Sequence, residues 1–110
     1  MKRVQDKVIL VTGGGTGLGK SMALGFARLG AHIALCGRKE EPLKKTAKEI
    51  ETLGVKTLIQ SCDVQKADAV ENLFEKVWRH FGRLDGLVNN AAGNFIAPTE
   101  SLSAHAFDVV

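Results

Sequence analysis

Thr12-Gly13-Gly14-Gly15-Thr16-Gly17-Leu18-Gly19 packs five glycines into eight residues. A segment of this kind can hold a phosphate with its backbone. Gly13 can take a positive φ and turn the chain. Gly17 has no side chain, so the backbone can come close to a pyrophosphate, and Gly19 lets the following helix pack close to the sheet. The N–H groups that open such a helix point at the phosphates, and the helix dipole favours negative charge there. A glycine pattern alone is weak evidence. Here it follows an apolar strand, opens a helix and lies in a βαβ unit, which is the context that gives it meaning.

The elements around the loop follow from hydrophobic periodicity. Lys7–Val11 is a short apolar run bounded by glycines, the pattern of a strand buried on both faces. A helix is predicted over Lys20–Leu29, with Met22, Ala23, Phe26 and Leu29 on one face and Gly30 as its stop. His32–Cys36 reads as a second buried strand. Glu40–Leu53 reads as a helix with Leu43, Ala47, Ile50 and Leu53 as its stripe, Pro42 in its first turn and two leading acids, all before Gly54. Lys56–Ser61 is strand three. Asp68–Phe81 is a helix on the recurrence of Val70, Leu73, Phe74, Val77, Trp78 and Phe81, whose aromatic members are core residues. Leu84–Val88 is strand four and runs into Asn89-Asn90-Ala91-Ala92-Gly93. A loop covers 94–103, and a helix is expected from Ala104.

Strands alternating with helices imply an α/β fold: a Rossmann-type, doubly wound parallel sheet in three αβα layers. The expected strand order is 3-2-1-4, with the topological switch between strands 1 and 4. Residues 13–19 and 91–93 both sit at carboxyl ends there, so two separate features converge on one crevice.

Three motifs then carry a family resemblance over the whole chain. Thr12-Gly13-x-x-x-Gly17-x-Gly19 resembles the TGxxxGxG fingerprint of short-chain dehydrogenases/reductases. Asn89-Asn90-Ala91-Ala92-Gly93 resembles their NNAG motif with one extra Ala, and Cys62-Asp63-Val64 resembles the pair after strand 3 whose Asp contacts adenine. The resemblance implies a nicotinamide dinucleotide held by Gly13, Gly14, Gly15, Thr16, Gly17, Leu18, Gly19, Arg38, Asp63, Val64, Asn90, Ala91 and Gly93.

The end of strand 2 selects the cofactor. An acid there would bond the ribose 2′-OH and repel a 2′-phosphate. This chain has Cys36-Gly37-Arg38-Lys39. Gly37 leaves room, Arg38 presents a planar fork to a phosphate and Lys39 adds charge, which favours NADP(H). The second basic residue that many NADP-preferring members carry in the glycine loop is absent.

The string NAAGNF followed by PTE-x-LS, together with the Gly37–Lys39 turn, resembles 2,4-dienoyl-CoA reductases. By that resemblance Asn94 holds the thioester carbonyl, and Phe95 and Ser103 line the acyl and thioester end. The chemistry is sound, because hydride added to the far end of a conjugated dienoyl thioester pushes charge onto the carbonyl oxygen, where an amide N–H stabilises it. One departure is Gln65, where that group often has Arg. Two alternatives stand beside this reading: another short-chain reductase acting on a ketone or 3-oxoacyl thioester, and an inert nucleotide-binding module.

Composition bounds the rest. The chain has 110 residues, 45% hydrophobic and 25% charged, with a net charge of +3. Its basic residues alternate with acids, so nucleic acid is not an expected partner. No apolar run reaches membrane-spanning length. No signal or presequence is recognised, which makes cytoplasm the expected location. Cys36 and Cys62 are expected to be reduced and buried, and His32, His80 and His105 show no metal spacing, so no metal site is expected. A homo-oligomer, a tetramer by family resemblance, is the expected assembly. The sequence contains no tyrosine. The family's Tyr-x-x-x-Lys motif is therefore not in these residues. On this reading 1–110 is the N-terminal, dinucleotide-binding part of one Rossmann-type domain, inactive by itself, with strand 4 left as an exposed edge.

Overall fold

A computed structural model describes residues 4–15 and 17–90, and the backbone of 108–109. The elements are β1 (Val8–Thr12), α1 (Gly17–Arg28), β2 (His32–Gly37), α2 (Glu40–Glu51), β3 (Thr57–Ser61), α3 (Ala67–Phe81), β4 (Gly86–Val88) and β5 (Asp108–Val109). All pairings are parallel, in the order β3-β2-β1-β4-β5. This is the Rossmann-type sheet expected from the alternation of elements, extended by one strand.

That strand corrects two expectations. The Ala104 helix is not what occupies 108–109, and β4 is not a bare edge, because Gly86 and Leu87 pair with Asp108 and Val109. Two residues, Asp108 and Val109, are too few to show a period, so periodicity could not separate helix from strand there.

The sheet separates two cores by strict alternation. Val8 and Leu10 of β1 face α3 with Ala34, Cys36 and Leu87. Ile9 and Val11 face α1 and α2 with Ile33, Leu35 and Val88. Because both faces are covered, the interiors of β1 and β2 are apolar on both sides of the sheet, from Val8 to Val11 and from Ile33 to Cys36.

Helix α1 begins at Gly17, three residues before the expected start. Its buried line is Gly19, Ala23 and Ala27, whereas Leu29 lies beyond the helix and is partly exposed. Small residues on this line let α1 lie close to β1 and β2. Leu53 also falls outside its helix, since α2 ends at Glu51 and Leu53 is 39% exposed. Helix α3 ends on Gly82 in the left-handed conformation (φ 74), with the Gly82 N–H bonded to the Trp78 carbonyl. That is a C′ glycine cap.

At the amino ends of the strands, Asp85 clamps β1. Its carboxylate accepts the Val8 N–H at 2.8 Å and two bonds from the Arg83 guanidinium, at 2.7 and 2.9 Å. Burial pushes this carboxyl up, but the Arg83 bond, the Val8 N–H and the charges of Arg83 and Lys7 outweigh that and hold it below the ordinary range.

Candidate functional site

The crevice lies at the carboxyl ends of β1 and β4. Thr12, the last residue of β1, is fully buried. Its hydroxyl oxygen accepts the Asn90 N–H at 2.8 Å, and its proton lies within reach of the Val88 carbonyl at 3.3 Å and Asn89 Oδ1 at 3.2 Å. One side chain thus ties the end of β1 to the turn that follows β4, across the switch point where ligands bind in open α/β sheets.

The glycine loop is fitted onto this frame. Gly13 has φ 64 and makes the turn. The Gly14 N–H bonds the Cys36 carbonyl at 3.2 Å, and the Thr46 hydroxyl reaches the Gly15 carbonyl at 3.4 Å. A Cβ at Gly14 would lie 2.6 Å from Leu35 Cδ2, and one at Gly15 would lie 2.7 Å from Pro42 Cβ. A Cβ at Gly19 would run into the Gly13 carbonyl oxygen and lie 2.8 Å from Asn90 Nδ2. Gly19 therefore permits close approach to the loop's own turn and to the β4 end, a more local fit than the helix–sheet contact expected.

Gly17 differs from its neighbours. Its φ is 57, yet a Cβ there would meet nothing within 4 Å. The space in front of it is open, Leu18 beside it is 65% exposed, and α1 starts at this point. The first N–H groups of a helix have no intrahelical partner. Open space and unpaired N–H groups are what an anion site requires, and a side chain at Gly17 would occupy that space.

A second cleft, of about 490 Å³, opens at the ends of β2 and β3 and is lined by Arg38, Ser61, Cys62, Asp63, Lys66 and Ala69. Arg38 is 68% exposed and stands 3.7 Å from Asp63 Oδ1, while Asp63 Oδ1 accepts the Gln65 N–H at 3.0 Å. The Ser61 hydroxyl donates to the Arg38 carbonyl at 3.0 Å and holds the turn. Val64 is buried in the core on the α3 side, so Asp63 is the member of that pair whose side chain faces the cleft. Lys39 does not line the cleft.

Cys36 and Cys62 are both free and buried. Burial, with the nearby Cys62 adding to it and a bond from the Gly13 backbone opposing it, pushes the Cys36 thiol up to about 12. Burial and the Asp63 charge push Cys62 up as well. Both shifts disfavour the thiolate, the nucleophilic form.

Thr16, Ala91, Gly93, Asn94, Phe95 and Ser103 lie outside the described residues. The structure brings together Gly13, Gly14, Gly15, Gly17, Leu18, Gly19 and Asn90 at one crevice, with Arg38 and Asp63 in the cleft beside β2. Neither motif nor periodicity marks a role for the Thr12 hydroxyl, Thr46 or Lys66 in the sequence. A Thr closing an all-apolar strand was the available signal for the first.

Residues 7–110 match the family model for short chain dehydrogenases. The chain belongs to the short-chain dehydrogenase family. Among relatives of this short-chain dehydrogenase, a probable 2,4-dienoyl-CoA reductase of Bacillus subtilis is 40% identical over 97% of this chain and 42% of the relative. A probable 2,4-dienoyl-CoA reductase of Caenorhabditis elegans is 46% identical over 97% of this chain and 35% of the relative. Among solved structures, NAD+-bound xylitol dehydrogenase superposes with a TM-score of 0.80 at 32% identity, covering 94% of this chain and 42% of that one. An alcohol dehydrogenase of Thermococcus sibiricus complexed with 5-hydroxy-NADP gives 0.72 at 37% identity, covering 74% and 35%. This short-chain dehydrogenase thus spans well under half the length of the relatives it matches. Among its described residues no helix is long and apolar enough to cross a membrane.

Proposed function

We propose that this chain is the dinucleotide-binding part of a single Rossmann-type domain in an NADPH-dependent reductase acting on a 2,4-dienoyl-CoA or enoyl-CoA thioester. The observation that carries the cofactor choice is Arg38. It lies at the end of β2, 68% exposed and 3.7 Å from Asp63 Oδ1, beside Gly37 and lining an open cleft. No acid occupies the position that would bond a ribose 2′-OH. The 2,4-dienoyl-CoA reductase names of several relatives support the substrate class.

In this reading the α1 N-terminus and Gly17 hold the pyrophosphate, and Gly13, Gly14, Gly15, Thr16, Leu18 and Gly19 shape the loop. Asp63 and Val64 bound the adenine, and Asn90, Ala91 and Gly93 line the crevice beyond β4. Bound NADPH supplies the hydride. Asn94 donates its amide N–H to the thioester oxygen as charge builds there, and Phe95 and Ser103 border the acyl and thioester end. Proton transfer needs a further group. No tyrosine occurs in these 110 residues, so this stretch alone is expected to bind nucleotide without turnover. The assembly proposed is a homo-oligomer and the location cytoplasmic, against relatives from Arabidopsis thaliana and Rattus norvegicus named peroxisomal.

A second reading, a short-chain reductase of a ketone or 3-oxoacyl thioester, is favoured by the likeness to xylitol dehydrogenase. Two measurements separate these. Arg38→Ala should weaken NADPH about tenfold and leave NADH unchanged, the lower end for a charge-assisted contact at an exposed site; equal loss for both cofactors rejects the NADP reading. In the full-length enzyme, Asn94→Ala should slow dienoyl-CoA reduction roughly 100-fold with little change in NADPH affinity. Unchanged turnover rejects the thioester role.

A further inference from the structure

We propose that Lys66 is a second cation for a ribose-bound phosphomonoester, acting with Arg38 across the cleft at the ends of β2 and β3. The proposal rests on the reading of Arg38 given above and extends it to a residue on a different element. Both side chains line the same open cleft, Arg38 from the turn after β2 and Lys66 from the residue that precedes α3.

Neighbouring residues explain why the second charge comes from this side. Inside the glycine loop no residue is basic: Thr16 is uncharged, and a Cβ at Gly14 or Gly15 would lie 2.6 Å from Leu35 Cδ2 or 2.7 Å from Pro42 Cβ. A basic residue at either position would displace the strand β2 or helix α2 contacts that seat the loop. Lys39, adjacent in sequence to Arg38, does not line the cleft. Lys66 does, is exposed, and has no ion pair among the described residues.

The cleft carries a net charge of +1, which attracts an anion. The cleft holds two cations, Arg38 and Lys66, and one carboxylate, Asp63. Asp63 stands 3.7 Å from Arg38 Nη2, beyond hydrogen-bond distance, and spends one oxygen on the Gln65 N–H. The guanidinium fork therefore remains available, and Lys66 adds a second point charge lining the same cleft. A phosphomonoester on an adenosine ribose matches this pair. It could come from the 2′ position of NADP(H) or the 3′ position of coenzyme A.

The test titrates the intact protein, Lys66→Met and Lys66→Arg with 5′-AMP, adenosine 2′,5′-bisphosphate and adenosine 3′,5′-bisphosphate. Lys66→Met is expected to lose about tenfold in affinity for a bisphosphate and less than about twofold for AMP, with the difference shrinking as salt rises. Lys66→Arg should restore it. Loss confined to the 2′,5′ compound assigns the phosphate to NADP(H), and loss confined to the 3′,5′ compound assigns it to coenzyme A. If the unaltered protein prefers a bisphosphate and Lys66→Met keeps that preference, Lys66 is not a phosphate ligand although the Arg38 reading stands. Equal loss on all three nucleotides also overturns the proposal. If the unaltered protein binds neither bisphosphate better than AMP, both readings fall.

Discussion

Thr12 Oγ1 accepts the backbone N–H of Asn90 at 2.8 Å, and through this bond the carboxyl ends of β1 and β4 are held as one floor beneath the glycine loop. The bond is part-buried, and the Thr12 side chain is fully enclosed. Thr12→Val keeps the shape and removes the acceptor. It should lower stability by about 1–3 kcal/mol, the cost of leaving a buried donor unpaired. The midpoint of urea unfolding is the measurement, and an unchanged midpoint would show that Asn90 finds another partner. Dinucleotide affinity should fall with it, because the turn after β4 loses its anchor.

Gly17 and Gly19 are expected to fail in opposite ways. At Gly17 a Cβ meets nothing within 4 Å, so Gly17→Val should leave the fold intact with about 1–2 kcal/mol of left-handed backbone strain. The same side chain occupies the space in front of the α1 N-terminus, and dinucleotide binding should be lost. At Gly19 even Ala collides with the Gly13 carbonyl, so stability itself should drop, by roughly 1–3 kcal/mol. Parallel calorimetric melts and cofactor titrations distinguish the two. Retained affinity in Gly17→Val would remove the basis for the phosphate cradle.

Asp85 makes stability pH-dependent in a defined direction. Its folded-state pKa lies below the ordinary value, chiefly because the Arg83 and Val8 bonds outweigh desolvation. The ionised form is therefore the one the fold favours. Its contribution is complete above the unfolded pKa of about 3.9 and is lost as pH falls through that value toward the folded pKa. Asp85→Asn should be less stable at pH 7 and should show a shallower fall between about pH 5 and 3. A variant with the same acid profile as the parent would assign the acid sensitivity to other carboxylates.

Cys36 and Cys62 should resist modification in the folded protein. Reaction requires thiolate, and a thiol held near 12, as Cys36 is, has almost none at pH 8. Thiol-specific reagent should titrate both cysteines promptly only after unfolding. Rapid loss of the Cys36 thiol under native conditions would mean that the end of β2 opens far more readily than its packing implies.

The alternation of apolar runs and amphipathic helices in this sequence was enough to determine a parallel α/β sheet, its 3-2-1-4 order and the convergence of two glycine-bearing segments. Those features are local and periodic: a strand buried on both faces must be apolar throughout, and a helix covering it must repeat at 3.6 residues. Gly13 was legible for the same reason, since a turn at the end of a buried strand needs a positive φ. What the period does not carry is which atoms meet across the sheet. That Gly19 answers to the Gly13 carbonyl, that Gly14 and Gly15 are closed by Leu35 and Pro42, that Thr12 bonds Asn90, and that Lys66 rather than Lys39 shares a cleft with Arg38 all depend on contacts between residues distant in sequence. The pairing of β5 with β4 is of the same kind. Two residues have no period to read, and only the unpaired edge of β4 decides that they form a strand.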